Sequence, residues 1–307
     1  MALPGSRKTP KNKRLKAQKG GATRKAQKKN FPPPGPSQCH PRVGEKRPAH
    51  GCLPTSILKR VAEKLDIPQN LNAISLRKTL EKRLQVRPDH EASFVKALPL
   101  TDGEKEYLIK QYLRPLQPVK WQEDPDMWLD SNNIEAVMKQ YEEANPKFEF
   151  MGPFPIDFAA PDPYQTDPNQ EKKCLIREMC GLRVQEAQKR GTQMIGIIYN
   201  LDPHFKDGSH WVANFIDLKK HHCHYFDSYG YEPPKQVARF MKWLTTQDPS
   251  MKLSYNARRF QHHGSECGMY SLYFIIRMMM GDVFRPFCRR QPRDSIMLDY
   301  RDWLFST

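Results

Sequence analysis

The stretch Met269–Met280, closed by Gly281, is apolar around its whole circumference when wound as a helix. Such a helix has no face to offer to water, so the rest of the chain must wrap it in protein. The material for that wrapping lies just upstream. Met194–Tyr199, Trp211–Ile216, His224–Phe226 and Met251–Tyr255 are short runs rich in β-branched and aromatic residues and read as strands. Lys235–Leu244 reads as a helix between them. Further back, Ser131 precedes Ile134, Val137, Met138 and Tyr141, the stripe of an amphipathic helix. The expected fold class is therefore α+β, with helices packed on a short sheet, over residues 119–307.

Residues 51–118 read as a separate small helical domain. Thr55 is placed to cap a helix that buries Ile57, Leu58, Val61, Ala62 and Leu65 and ends before Pro68. Ser75 is placed to cap a second, with Leu76, Leu80 and Leu84 on one face and Pro88 as its stop. Asp102–Leu113 suggests a third. Nothing in this stretch names an activity.

Charge separates residues 1–50 from the rest. Residues 1–30 hold eleven Lys and Arg and no acid, and residues 31–50 add three bases against one acid. The first fifty residues thus carry +13 of the formal +16. With almost no large apolar side chains they lack the burial that offsets ordering entropy, so a disordered basic and Pro-rich tail is expected. Pro32, Pro33, Pro34, Pro36, Pro41 and Pro48 make its second part an extended linker. Seven cysteines, an odd number without framework spacing, favour reduced thiols and an intracellular setting. No stretch approaches the roughly 20 apolar residues of a membrane span, and the N-terminus lacks the apolar core of a secretory signal.

One constellation carries chemistry. A thiol nucleophile needs a base, a group to orient that base, and donors for the oxyanion. Cys267 stands where the Gly264–Ser265–Glu266 loop runs into the buried helix, and a helix N-terminus stabilises a thiolate. His210 and Asp227 flank two consecutive strands. A hairpin turning at Leu218–Lys219 sets them opposite each other with Cβ atoms about 5 Å apart, and a longer turn makes them diagonal neighbours. Gln261, six residues before Cys267, and the Cys267 backbone N–H are the candidate oxyanion donors.

The segments "GSHWVANFIDL", "YFDS" and "QHHGSECGMYSLYF" resemble the adenain-like clan of cysteine proteases, which includes the SUMO-specific proteases and the maturation proteases of large DNA viruses. The similarity runs from about Trp121 to residue 307 and is greatest to the African swine fever virus-type protease. It implies a papain-like, adenain-like fold with His210, Asp227, Gln261 and Cys267 as catalytic residues and no metal or cofactor. It also implies that Trp128 and Trp211 form a tunnel admitting only a Gly-Gly strand, since a side chain does not pass between two indole faces. SUMO-directed members carry an acid where this chain has Ser131. The implied activity is cleavage of viral precursor polyproteins at Gly-Gly-Xaa sites during virion maturation. The implied location is the virion and host cytoplasm; separately, the charge of the tail allows a nuclear-targeting patch at Lys11–Lys16. Two alternatives stand beside it: deconjugation of SUMO- or ubiquitin-like proteins, and a nucleic-acid-associated virion structural protein with an inactive protease fold.

Other clusters have plainer readings. His221, His222, Cys223 and His224 alternate faces along a strand, so one ion does not collect them. Cys39, His40, His50 and Cys52 offer zinc-compatible atoms, but an adjacent Cys-His pair in a Pro-rich context fits structural zinc sites poorly. His262 and His263 sit on the nucleophile's loop without an orienting acid in the nearby sequence and are read as cleft lining. The basic tail suits electrostatic tethering to nucleic acid without base reading, since it holds no aromatic residue before Phe31.

Overall fold

The computed structural model describes residues 35–161 and 173–307. At its centre is a five-stranded sheet: β1 (Phe148–Pro155), β2 (Met194–Asn200), β3 (Trp211–Asp217), β4 (His222–Phe226) and β5 (Lys252–Tyr255), in the spatial order of the chain. β2, β3 and β4 form an antiparallel meander, and β1 and β5 join its edges in parallel. Every residue of β3 is buried, which requires cover on both faces of the sheet.

The helices, in chain order, are α1 (Thr55–Lys64), α2 (Ala73–Leu84), α3 (Glu91–Ala97), α4 (Asp102–Tyr112), α5 (Ser131–Ala144), α6 (Arg177–Gly181), α7 (Val184–Lys189), α8 (Lys235–Gln247), α9 (Cys267–Met279), α10 (Phe284–Arg289) and α11 (Asp294–Leu304). The segment that is apolar on every side forms α9, and all but two of that helix's thirteen residues are buried. It lies against the face of the sheet presented by alternate residues. Phe226 of β4 stacks on Phe274 at 4.9 Å, and a Cβ added to Gly196 of β2 would come within 2.9 Å of Ile275. On the other face, Ile195, Ile197, Tyr199, Val212, Ile216 and Tyr225 pack with Val237, Phe240, Met241 and Leu244 of α8. Each such fully buried aliphatic or Phe side chain is worth about 1.5–3 kcal/mol, so α9 is fixed far more firmly than propensity alone fixes a helix.

α1–α4 hold a core of their own, including Leu58, Val61, Leu76, Leu80, Phe94 and Val95. Their caps differ from the sequence expectation. Asn72, not Ser75, caps α2, accepting a hydrogen bond from the Ser75 N–H. Pro54 precedes α1, so Thr55 is the first helical residue. Nor does the chain divide at residue 118. The end of the chain threads back: the Ala92 N–H donates to the Thr307 carbonyl at 3.0 Å, and Ser306 pairs with Pro115 and Gln117. The described residues belong to one compact unit.

Two expectations are corrected. Residues 35–50 are not a loose linker. Cys39 is fully buried and disulfide-bonded to Cys52, the His40 N–H donates to Tyr112, and the Gln38 N–H donates to Trp303. Here non-local backbone partners replace the burial that the local composition lacks. The thiols are not all reduced either, since Cys174–Cys180 forms a second disulfide and leaves Cys223, Cys267 and Cys288 free. The basic segment 1–30 lies outside the described residues.

Candidate active site

The β3–β4 turn carries His210 and Asp227 to one end of the sheet. The register pairs Asp217 with His222 and Ala213 with Phe226, so continuing it sets Asp227 opposite Val212. His210 and Asp227 are therefore diagonal neighbours on one face, the longer-turn case, with His221 at φ 57° completing the turn. His210 Nε2 meets Asp227 Oδ1 at 2.8 Å. That bond commits Nε2 to the carboxylate and leaves Nδ1 as the free ring nitrogen, while Cys267 is near enough to act on the charge of the ring. Burial opposes charge on His210. The hydrogen bonds and charges of Asp227 and Cys267 outweigh it and raise the imidazole to about 9. The imidazole therefore carries its charge at neutral pH.

Asp227 is 1% exposed and held from three sides. Its Oδ1 also accepts the Tyr229 N–H at 2.8 Å. Asn256, just past β5, clamps its backbone twice, accepting from the Asp227 N–H at 2.8 Å and donating to its carbonyl at 2.7 Å. Tyr229 then turns back over His210, the rings stacking at 4.8 Å and 24°.

Cys267 opens α9 with 1% exposure, and Glu266 before it makes no side-chain cap. The first N–H groups of the helix are left facing the sulfur's surroundings. Gly268 lets this end approach its neighbours: an added Cβ would lie 3.1 Å from Leu129 and 3.3 Å from the Trp211 ring. Trp211 is buried and donates through Nε1 to the Leu129 carbonyl at 2.9 Å. Trp128, next to Leu129, is 46% exposed. It borders a cavity of about 580 Å³ together with His263, Ser265, Glu266 and Asp294. Trp211 is thus packed inside against the start of α9, while Trp128 stands at the border of the cavity.

Gln261 is fully buried. Its carbonyl oxygen accepts from the Ser228 hydroxyl at 2.7 Å, and its amide donates to the His263 carbonyl at 2.8 Å. These bonds tie the loop after Asp227 to the loop before Cys267, and the amide carries a second N–H. His262 and His263 do have an acid near them: both backbone N–H groups donate to Asp294 at 2.9 Å, and the exposed His263 ring lies 3.9 Å from it. Arg301 of α11, 3% exposed, donates to the Pro125 carbonyl at 2.9 Å and reaches the Ser265 carbonyl at 3.5 Å. It thereby links the strand of chain leading to Trp128 with the nucleophile's loop. Tyr229, Asn256, Asp294 and Arg301 were all missed by sequence reasoning, and only the proximity of Tyr229 to Asp227 was a local signal.

The remaining candidate ligands disperse. His221 bonds Asp248, His224 bonds Ser254, Cys223 is buried beside Asn214, and Cys39 is joined to Cys52. Among the described residues no group of three His, Cys, Asp or Glu is placed to hold a metal ion. No described helix is long and apolar enough to cross a membrane.

A cysteine at a helix N-terminus beside a charged, acid-oriented imidazole is equipped for acyl transfer. Comparison with known proteins points the same way. Residues 170–302 match the Ulp1 protease family, C-terminal catalytic domain. A protein of Acanthamoeba polyphaga mimivirus that is named as a thiol protease is 35% identical over 164 residues, 51% of this chain and 49% of its own. A protein of African swine fever virus, from a Kenyan pig isolate, is named as a SUMO-1 cysteine protease. It is 30% identical over 129 residues, 39% of this chain and 46% of its own. The chain spans about half the length of these relatives. A crystal structure of the African swine fever virus protease superposes with a TM-score of 0.57 over 88% of this chain and 95% of that one, at 19% identity. That likeness is one of fold.

Proposed function

We propose that the protein, whose residues 170–302 match the catalytic domain of the Ulp1 protease family, is a cysteine endopeptidase cutting viral structural precursors after Gly-Gly. The single observation that supports it most is the buried His210–Asp227 bond at 2.8 Å, with Cys267 acting on the same imidazole. In this reading the Cys267 thiolate attacks the scissile carbonyl, and the C–N bond breaks as the His210 imidazolium passes its proton to the leaving amine. Water, deprotonated by His210, then attacks the thioester and releases the carboxylate product and the free thiol. The Cys267 N–H and the second Gln261 N–H hold the oxyanion. Trp211 and Trp128 restrict the residues before the cut to glycine. The resemblance to proteases of two large DNA viruses supports a role in virion maturation, with the virion and host cytoplasm as its place. The basic segment 1–30 would tether the enzyme to nucleic acid through phosphate contacts.

The name of the African swine fever virus relative favours a second reading, deconjugation of SUMO-like proteins. One experiment separates the two. The wild-type protein and Cys267→Ala are incubated with Gly-Gly-Xaa peptides, with virion precursors and with a SUMO precursor, and the products are read by mass spectrometry. Cleavage of peptides and precursors after Gly-Gly by the wild type alone is expected. Cleavage of the SUMO precursor alone would favour the second reading, and equal cleavage by Cys267→Ala would refute both.

A further inference from the structure

We propose that Tyr229 is a positioning residue for the reaction: its ring lies on the His210 imidazole, holds it between Asp227 and Cys267, and favours its protonated form. This rests on the protease reading and goes beyond the four residues that carry it.

Three contacts converge on Tyr229. Its backbone N–H donates to Asp227 Oδ1, the same oxygen that takes His210 Nε2, at 2.8 Å in both cases. Its ring stacks on His210 at 4.8 Å and 24°. Its hydroxyl reaches the His263 carbonyl at 3.4 Å, the oxygen that also accepts from Gln261. The residue therefore spans from the acid, over the base, to the loop of the oxyanion donor. The next residue explains how it gets there. Gly230 has φ +80°, and a Cβ there would lie 2.7 Å from the Arg258 backbone, so the chain turns sharply and folds the ring back over the histidine.

An aromatic face within about 6 Å of a cation attracts it, and more strongly where water is excluded. A stacked phenol also bars water from the face of the His210–Asp227 bond, which competition from solvent would weaken. The charged and titratable groups around His210 are Asp227 beyond β4, Cys267 at the start of α9, and Tyr229. Arg259, 5.1 Å from the Tyr229 ring, and Glu266 act on it from further out. Burial and the Cys267 charge push the phenol up, so at neutral pH it keeps its proton and donates to His263.

The test compares wild type, Tyr229→Phe and Tyr229→Leu, each checked for an unchanged far-UV spectrum and melting curve. His210 is titrated by NMR, and cleavage of a Gly-Gly-Xaa peptide is followed against pH. Phe keeps the ring, so its titration and kcat stay within about threefold of wild type. Leu keeps the apolar bulk and loses the π face. It is expected to lower kcat by about three- to thirtyfold with KM unchanged, and to move both the His210 titration and the alkaline limb of kcat to lower pH. A Leu variant that titrates and turns over like wild type overturns the inference and leaves the protease reading intact. So does a variant altered only in KM, which would make Tyr229 a substrate contact. A wild-type His210 titrating at its ordinary 6.5 would instead remove the ion pair on which both readings stand.

Discussion

Replacing Asp227 by Ala should cut the alkaline end off the activity profile. His210 is lifted from 6.5 to about 9, which is roughly 3 kcal/mol in favour of the imidazolium after burial has taken its share. That preference comes from Asp227 and Cys267 together. A hydrogen bond to a charged partner is worth about 1.5–3 kcal/mol, so loss of the carboxylate should remove about one to two pH units of it. The sign follows from the raised folded value. Imidazolium is the acid that protonates the leaving amine, it persists up to about pH 9 in the wild type, and lowering its pKa ends activity at a lower pH. Stability moves with it: the contribution of the raised His210 is full below 6.5 and is lost as pH rises through about 9. The assay is kcat/KM for a Gly-Gly-Xaa peptide between about pH 6 and 10, with Asp227→Asn as a second arm. Asn keeps an acceptor without the charge and should fall between wild type and Ala. Asp227→Ala with an intact fold and an alkaline limit still near pH 9 would refute the account of how His210 is charged.

Gln261→Ala should lower kcat by about 10²–10³ if its amide serves the oxyanion, and near-normal kcat would confine Gln261 to tying Ser228 to His263. Gly268→Ala places a Cβ 3.1 Å from Leu129 and 3.3 Å from Trp211, so kcat/KM for Gly-Gly substrates should fall several-fold, measured by steady-state kinetics. Removing the Cys39–Cys52 bond, which spans 13 residues, by Cys52→Ser should cost about 3 kcal/mol in denaturant unfolding, and an unchanged midpoint would mean the strap is held by its backbone bonds alone.

The placement of the candidate site residues was legible in the sequence because each sits beside an element with a strong pattern. Cys267 abuts an all-apolar helix, and His210 and Asp227 bracket two apolar strands. The hairpin register expected from the simplest turn was two residues out. An even slip leaves every side chain on the same face, so the pairing of base and acid survived the error. β1 escaped notice because its pairing shifts between Met151 and Phe154, around Gly152 and Pro153, which read as breakers. The strap of residues 35–50 looked unstructured because its order comes from Tyr112, Leu113 and Trp303, all distant in sequence. The same holds for Asn256, Asp294 and Arg301. Each is a buried polar residue that reaches Asp227 or the loop before Cys267 across 29 or more positions, and neither periodicity nor composition reports such pairings.

The most direct test is chemical. An electrophilic peptide ending in Gly-Gly is incubated with wild-type protein and with His210→Ala at neutral pH, and the modified residue is mapped by mass spectrometry. A single adduct on Cys267, formed at least about tenfold more slowly in His210→Ala, is the predicted result. An adduct on Cys223 or Cys288, or equal labelling of Cys267 in both proteins, would contradict the pairing of Cys267 with His210.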